Sequence, residues 1–305
     1  MKYTGNYNLK KPEGSDVVNI DDLNGNADTV DAELRKAEDH RESTANPHKV
    51  MADQVGAINP NLLINGDFQV WQRGTEFSGK VFGQYTADRW LVVSNNGNST
   101  TTVTKADNGL KATQSVPYAA CVVRYRMEEK DLKNIRGKTV TLSYSRDNTI
   151  YTKTYTVSND LTERDSVFSE ISLPNGSTLN WVKLEFGSVA TDFSPRPYAA
   201  ELAMCQRYYQ LCDVTGYGFV ISETTASAHY PLTTTMRTTP TILSSNICAI
   251  RTSEEIVESA TLSVHGMFDS SLWLYATAVD TTMTVHRPCM ISAGDTDLIL
   301  DAEIY

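Results

Sequence analysis

The sequence predicts a mainly β chain in which an N-terminal helix leads into two β-rich domains joined by a second, shorter helix. Three observations predict it. Apolar residues between positions 20 and 37 recur at alternating steps of three and four. Downstream, many short β-type runs are separated by polar or glycine-containing turns, the spacing of a sandwich or jelly roll. Between two such sets lies Trp181–Cys212, where the apolar period changes from two to three-and-four.

At 305 residues with 40% of them hydrophobic, the chain exceeds one ordinary domain and can bury real cores. No stretch approaches the ~18 consecutive apolar residues of a membrane span. The opening MKYTGNYNLKKPEGSD has no apolar h-region, so synthesis in a cytoplasm without a signal peptide is the expectation. Five widely spaced cysteines, with no C-x-x-C, read as buried free thiols rather than a disulfide framework or zinc site. From Asp213 to Tyr305 three arginines face eleven carboxylates with no lysine, which places −8 of the net charge of −10 there. Such a surface repels phosphate backbones and anionic headgroups, so neither nucleic acid nor membrane insertion is expected.

Taken in order, the first eighteen residues are polar and read as an extended arm. Ile20, Leu23, Ala27, Val30, Leu34 and Ala37 then form the a and d positions of a short coiled coil, until Arg41 breaks the seam. Asn19 is placed to cap the helix, and Asp21 and Asp22 suit its positive end. A helix of ~33 Å at 1.5 Å per residue, containing Gly25 and two seam alanines, is marginal alone and calls for neighbours. Its sequence, IDDLNGNADTVDAEL, resembles the N-terminal helix of phage tail-fibre proteins, which are typically trimers. The following HRESTANPHKVMADQVGA resembles the Asn-Pro-His segment recurring in the same proteins, with Met51 where threonine is usual. A metal shared by His40 and His48 lacks further ligands, and a hydrogen-bonded histidine after the Asn46-Pro47 turn is the favoured reading.

Asn59-Pro60 marks a boundary. The middle segment opens with NLLINGDFQVWQRGTEF and YTADRW and carries β-type runs at 100–104, 119–126, 139–144, 149–157 and 167–173. Trp71, Arg73, Asp88, Arg89 and Trp90 have the composition of a site, but aromatics flanked by an Asp-Arg pair more often close the end of a sandwich. At the junction, Val182, Leu184 and Phe186 alternate with Lys183 and Glu185 as in a half-buried strand, and Pro195 and Pro197 stop it. Leu202, Cys205, Tyr209 and Cys212 then mark one helical stripe. The run KLEFGSVATDFSPRPYAAELAMCQRYYQ resembles the module end of phage tail-fibre and receptor-binding proteins and of phage-tail-like bacteriocin particles. That resemblance implies a carbohydrate-binding-like β-sandwich closed by the strand, a linker helix, and a C-terminal head; both opening motifs match the same module.

The last segment carries β-type runs at 218–222, 228–235, 241–243, 260–264, 272–279 and 298–305. In the final run Leu298, Leu300, Ala302 and Ile304 point one way and Asp297, Asp301 and Glu303 the other, a solvated face of an edge strand. Calcium at Asp295 and Asp297 lacks a D-x-D-x-D-G loop. YPLTTTMRTTPTIL resembles the tail-fibre head segment and implies a second β-sandwich-like fold.

Catalytic signatures are missing: no G-x-S-x-G, H-E-x-x-H, phosphate loop or G-x-G-x-x-G occurs. Glu254, Glu255 and Glu258 read as a polar loop or helical turn, and no internal repeat of the tailspike type is seen. No catalytic residue, metal or cofactor is therefore assigned. Binding fits better, because sugar C–H faces stack on aromatic rings, and the head offers Tyr217, Phe219, His229, Tyr230, His265, Trp273 and Tyr275. Trp273 and Tyr275 share one strand face, for which a core position is the favoured reading over a binding surface. The expected organisation is an attachment arm and coiled-coil stalk (1–59), a carbohydrate-binding-like sandwich (60–198), a linker helix (199–213) and a β-rich head (214–305). The expected function is attachment of a phage or phage-tail-like particle, as a homotrimer at the fibre tip, to a bacterial glycan or surface protein. Other tail or baseplate proteins would hold its N-terminus. A glycan-degrading tail enzyme and a non-binding structural spacer are the alternatives.

Overall fold

A computed structural model describes residues 1–43, 59–79, 81–94, 100–115, 120–163, 170–212, 215–243, 247–279, 281–293 and 298–305. It is mainly β and separates into two compact units, Met1–Ala57 and Ile58–Tyr305. His48, Met51, Asp295 and Asp297, for which the sequence raises expectations, lie outside the described residues.

In the first unit the expected arm is instead a hairpin of β1 (Lys2–Tyr3) and β2 (Lys10–Lys11). Asn8 turns it with φ 53°, a conformation Asn tolerates. Two reciprocal hydrogen bonds between Asn26 and the Lys10 backbone (2.7 and 2.8 Å), with a Lys10–Asp22 ion pair, fasten it to the helix. These polar contacts are invisible to a reading of apolar periodicity. Helix α1 (Ile20–Glu42) starts where predicted, with the Asn19 side chain accepting from the Asp21 amide at 3.2 Å. It buries none of its residues, and Ile20, Leu23, Val30 and Leu34 stay 44–71% exposed. Ala27 and Ala37 are exposed as well.

The second unit begins with β3 (Glu76–Gly79), β4 (Trp90–Ser94), β5 (Thr101–Ala106), β6 (Gly109–Gln114) and β7 (Ala120–Tyr125). Helix α2 (Glu129–Ile135) and strands β8 (Thr139–Arg146), β9 (Thr149–Thr156), β10 (Ile171–Pro174) and β11 (Thr178–Phe186) follow. Two antiparallel sheets form, one in the order β3-β5-β6-β11-β8-β9 and the other β10-β7-β4. Inward residues of both sheets share one core, including Val103, Leu110, Val123, Leu142, Leu173, Val182 and Leu184, with Leu132 and Ile135 added by α2.

The junction strand departs from the predicted half-burial. Lys183 and Glu185 are 1% and 0% exposed, while Phe186 is 37% exposed. The segment 187–194 folds back to satisfy them. The Lys183 ammonium donates to the Thr191 and Asp192 carbonyls at 3.2 and 2.8 Å, and Glu185 accepts from the Thr191 amide and hydroxyl at 2.8 and 2.6 Å. Buried charges persist only when paired and hydrogen-bonded in this way.

Helix α3 (Tyr198–Gln206) is shorter than the apolar stripe implies. Tyr209 and Cys212 belong to strand β12 (Tyr209–Cys212). Tertiary packing overrides the local period: Tyr208 enters the sandwich core, and the Tyr209 ring stacks under the Arg73 guanidinium at 3.8 Å. Arg207 and the Tyr208 hydroxyl both bind Glu128, at 2.7 and 2.9 Å. Burial pushes the Glu128 carboxyl up, but these bonds outweigh it and hold the group below the ordinary range.

The remaining strands are β13 (Thr215–Ser222), β14 (Thr225–Pro231), β15 (Thr241–Ile242), β16 (Ile247–Arg251), β17 (Ile256–Phe268), β18 (Ser271–Ala278), β19 (Pro288–Ala293) and β20 (Leu298–Asp301). Instead of a second sandwich, six of them close into an antiparallel barrel, β13-β14-β18-β17-β16-β19. A six-stranded barrel has a narrow interior, and Ala226, Ala228, Ala260, Ala276 and Ala278 line it beside Leu262, Leu272, Leu274 and Ile291. Gly218 permits closure, since a Cβ there would meet the Ser227 carbonyl oxygen at 1.8 Å.

Strand β20 is also not an edge; it lies between β12 and β15. Leu298, Leu300 and Ala302 join the barrel core as the alternation predicts. Asp301 and Glu303, read as a solvated face, are only 4% and 5% exposed, because the sandwich supplies arginines to them.

Candidate functional site

Two-residue alternation on β18 sends Leu272, Leu274 and Ala276 into the barrel and leaves Trp273 and Tyr275 facing outward, half-buried. Register then assembles a row across the exterior. Tyr217 on β13 opposes His229 on β14, His229 opposes Trp273, and Trp273 opposes Gly266 on β17. A shift between Val264 and Gly266 is the device that brings His265 out beside the row, as bulges re-aim side chains elsewhere.

The rings are in contact. His229 stacks on Trp273 (5.8 Å, 13°), His265 meets Trp273 edge-on (4.5 Å, 77°), and His265 stacks on Tyr275 (4.2 Å, 22°). Phe268 tilts against Trp273 at 5.9 Å. The Trp273 indole N–H donates to the Ser227 hydroxyl, which pins its ring. Tyr217 and Phe219, 71% and 58% exposed, extend the apolar surface along β13. The band is an exposed platform of ring faces and edges, suited to stacking against apolar ligand surfaces.

Of the sequence-predicted residues, the structure thus brings together Tyr217, His229, His265, Trp273 and Tyr275. Tyr230 stands apart, paired opposite the inward Leu272 and packed against the barrel core. Phe268 was missed, because the bulge shifts the alternation of β17. Trp273 and Tyr275, for which a core position is the favoured reading of the spacing, lie half-buried outside the barrel core.

The other aromatic and charged cluster is structural. Trp90 is fully buried, and its indole donates to the Asn65 carbonyl at 2.9 Å; Trp71 donates to the Phe68 carbonyl. Asp88 accepts from the Gln72 side chain at 2.6 Å and Arg73 at 3.1 Å. Arg73 reaches on to Glu303 at 3.2 Å and Asp301 at 3.7 Å. Arg89 pairs with Glu303 and lies 3.5 Å over the Tyr208 ring. Burial opposes the Arg73 charge, yet Glu303, Asp88 and Asp301 outweigh it and push its pKa above the ordinary value. Arg126 and the Tyr85 hydroxyl both donate to the Ile304 carbonyl, at 2.9 and 2.6 Å. These residues bind the sandwich to segment 301–304.

Among the described residues no group of three His, Cys, Asp or Glu is arranged to hold a metal ion, and no helix is long and apolar enough to cross a membrane. All five cysteines are buried and unpaired with one another; burial pushes the Cys121 thiol up to about 12 and Cys248 up to about 11, away from nucleophilic use at neutral pH. Glu254 and Glu255 lie in the turn between β16 and β17, with Glu258 on β17 itself. Their partners are Arg287 (3.1 Å), the Thr284 hydroxyl (2.9 Å) and Arg251 (4.0 Å). No family model matches the sequence, and no curated protein matches it.

Proposed function

We propose that this chain is a tail-fibre-like attachment protein that binds a bacterial surface receptor, a glycan being the favoured class, through the aromatic band of its barrel. The observation that carries the reading is the contiguous outward platform of Tyr217, His229, Trp273, His265 and Tyr275, in which the central indole is held by Ser227 and by rings on either side. Pyranose rings present C–H faces that stack on such rings. The local excess of carboxylates disfavours a strongly anionic polymer and suits a neutral or zwitterionic sugar or a protein surface.

The uncovered seam of α1 supports self-association. The resemblance of the helix and junction to tail-fibre sequences makes a homotrimer the preferred state, on a phage or phage-tail-like particle. Its N-terminal hairpin and helix would meet other tail or baseplate proteins. Three heads raise avidity by ~10² to 10⁴ over one when they reach receptors together. No catalytic step is proposed.

Binding of fluorescently labelled full-length protein to a panel of bacterial strains tests the reading. The expected result is strain-selective staining that falls at least tenfold in a Trp273→Ala, Tyr217→Ala double variant that keeps its fold and assembly state. No staining of any strain by the folded, assembled protein would overturn it in favour of a structural spacer. Release of reducing ends from purified surface polysaccharide would overturn it in favour of an enzyme.

A further inference from the structure

A groove lies against the β5–β6 and β8–β9 turns of the sandwich, away from any residue the sequence marks as a site. The β5–β6 turn, the β8–β9 turn and residues 193–195 enclose a groove of about 500 Å³, within the ~300–1,000 Å³ of small-molecule sites. Its aromatic wall is Trp181 stacked on Phe193, with ring centroids 4.9 Å apart and planes 11° from parallel. Asp67, Asp107, Asn108 and Asn148 stand among the polar groups around them.

The groove is built by an irregularity in β11. The register with β8 shifts between Leu179 and Trp181, which frees Asn180 from regular pairing. The Asn180 amide then joins the two turns. Its oxygen accepts from the Asn148 amide (3.0 Å) and the Ser145 hydroxyl (3.1 Å), and its NH₂ donates to the Asn108 carbonyl (3.2 Å). Asp147 and Asn148 take φ 51° and 63°, the tight hairpin turn these residue types favour, and Asp147 accepts from the Thr178 amide at 2.8 Å. At Gly109 a Cβ would meet the Leu179 carbonyl oxygen at 2.1 Å, so only glycine lets β6 approach β11 so closely. The rim is therefore fixed before any ligand arrives, while Asp107, Asn108 and Asn148 remain exposed.

We infer that this groove is a sugar-binding site, distinct from the barrel band, that takes a neutral pyranose against Trp181 and Phe193 with its hydroxyls bonded to Asp67, Asp107, Asn108 and Asn148. An aromatic wall ringed by carboxylate and amide groups is the complement of a sugar, which offers C–H faces and hydroxyl donors together. Two carboxylates against one ammonium, that of Lys105, disfavour uronic or sialic acids. The groove stands independently of the receptor reading of the barrel.

Saturation-transfer NMR titrations of the full-length protein test this, with glucose, galactose, mannose and N-acetylglucosamine as probes and glucuronate as the anionic control. At least one neutral sugar is expected to bind, with glucuronate weaker. The affinity should fall at least tenfold in Trp181→Ala and in an Asp107→Ala, Asn148→Gly double variant, the glycine keeping the positive φ of that turn. The double variant alters only exposed turn side chains, so it reports on the site even if Trp181→Ala unfolds. Lack of any sugar binding by the parent protein at concentrations well above millimolar would overturn the inference. So would sugar binding left untouched by the double variant. Failure of cell staining with groove binding intact would count against the barrel reading alone.

Discussion

Arg89 keeps its guanidinium wholly out of water, in contact with the Tyr208 ring and the Glu303 carboxylate. Removing one partner of such a pair leaves an uncompensated buried charge, which costs about 3–5 kcal/mol. Glu303→Gln should lower the stability of the second unit by roughly that amount, read as a lower urea midpoint with an unchanged slope. An Arg89→Met, Glu303→Leu double variant should recover part of it, since the apolar pair removes the Arg89 burial penalty while Arg73 keeps Asp88 and Asp301 as partners. Half of this arrangement is legible in the sequence. Arg73, Asp88 and Arg89 show as a clustered, structure-closing set near Trp71 and Trp90. Their partners show only as alternate charges on a strand, the pattern that normally marks a wet face. Lys183 and Glu185 mislead for the same reason: period two reports which side a residue faces, and another segment can cover that side.

At the scale of elements, α1 is read correctly because everything that defines it is local: the Asn19 cap, the acidic first turn and the steps of three and four. Gly25 sits in its interior with nothing within 4 Å of a would-be Cβ. Gly25→Ala should therefore stabilise the helix by about 1 kcal/mol, seen as a higher melting temperature of the helical circular-dichroism signal at fixed protein concentration. The junction helix is overextended by the same method, since Tyr209 and Cys212 keep helical spacing while pairing in a strand with β20. The barrel is a different failure. Inward and outward residues alternate identically in a sandwich and a barrel, so alternation locates β13, β14 and β18 without deciding closure. The signal that decides is size: alanines and Gly218 recur at inward positions, where a flat pair of sheets would accept larger side chains. The groove beside Trp181 was invisible because it depends on a register shift and on three turns meeting.

For the molecule as a whole, the sandwich and barrel cores are separate in composition, yet they meet through Arg73, Arg89, Arg126 and Tyr85 on one side and residues 301–304 on the other. Arg237, on the barrel side, holds that segment by donating to the Ala302 and Glu303 carbonyls at 2.8 and 3.1 Å, and it reaches Glu163 of the sandwich at 4.0 Å. Calorimetry of the full-length protein should show the second unit melting in one cooperative transition. Deleting residues 302–305 should split that transition in two, with the sandwich component shifted to lower temperature. A single unshifted transition in the deletion variant would show that the join carries no coupling.

The same join has a consequence for biosynthesis. A ribosome makes the last sandwich strand, ending at Phe186, well before it reaches Glu303; at ~5–20 residues per second the interval is roughly 6–23 s. Throughout that time Arg73 and Arg89 have no carboxylates from segment 301–303 to meet. The nascent sandwich is held incomplete, and chains that stop short of residue 304 are left with an open seam. Segment 301–304 must therefore be made before the buried arginines of the sandwich find these charge partners.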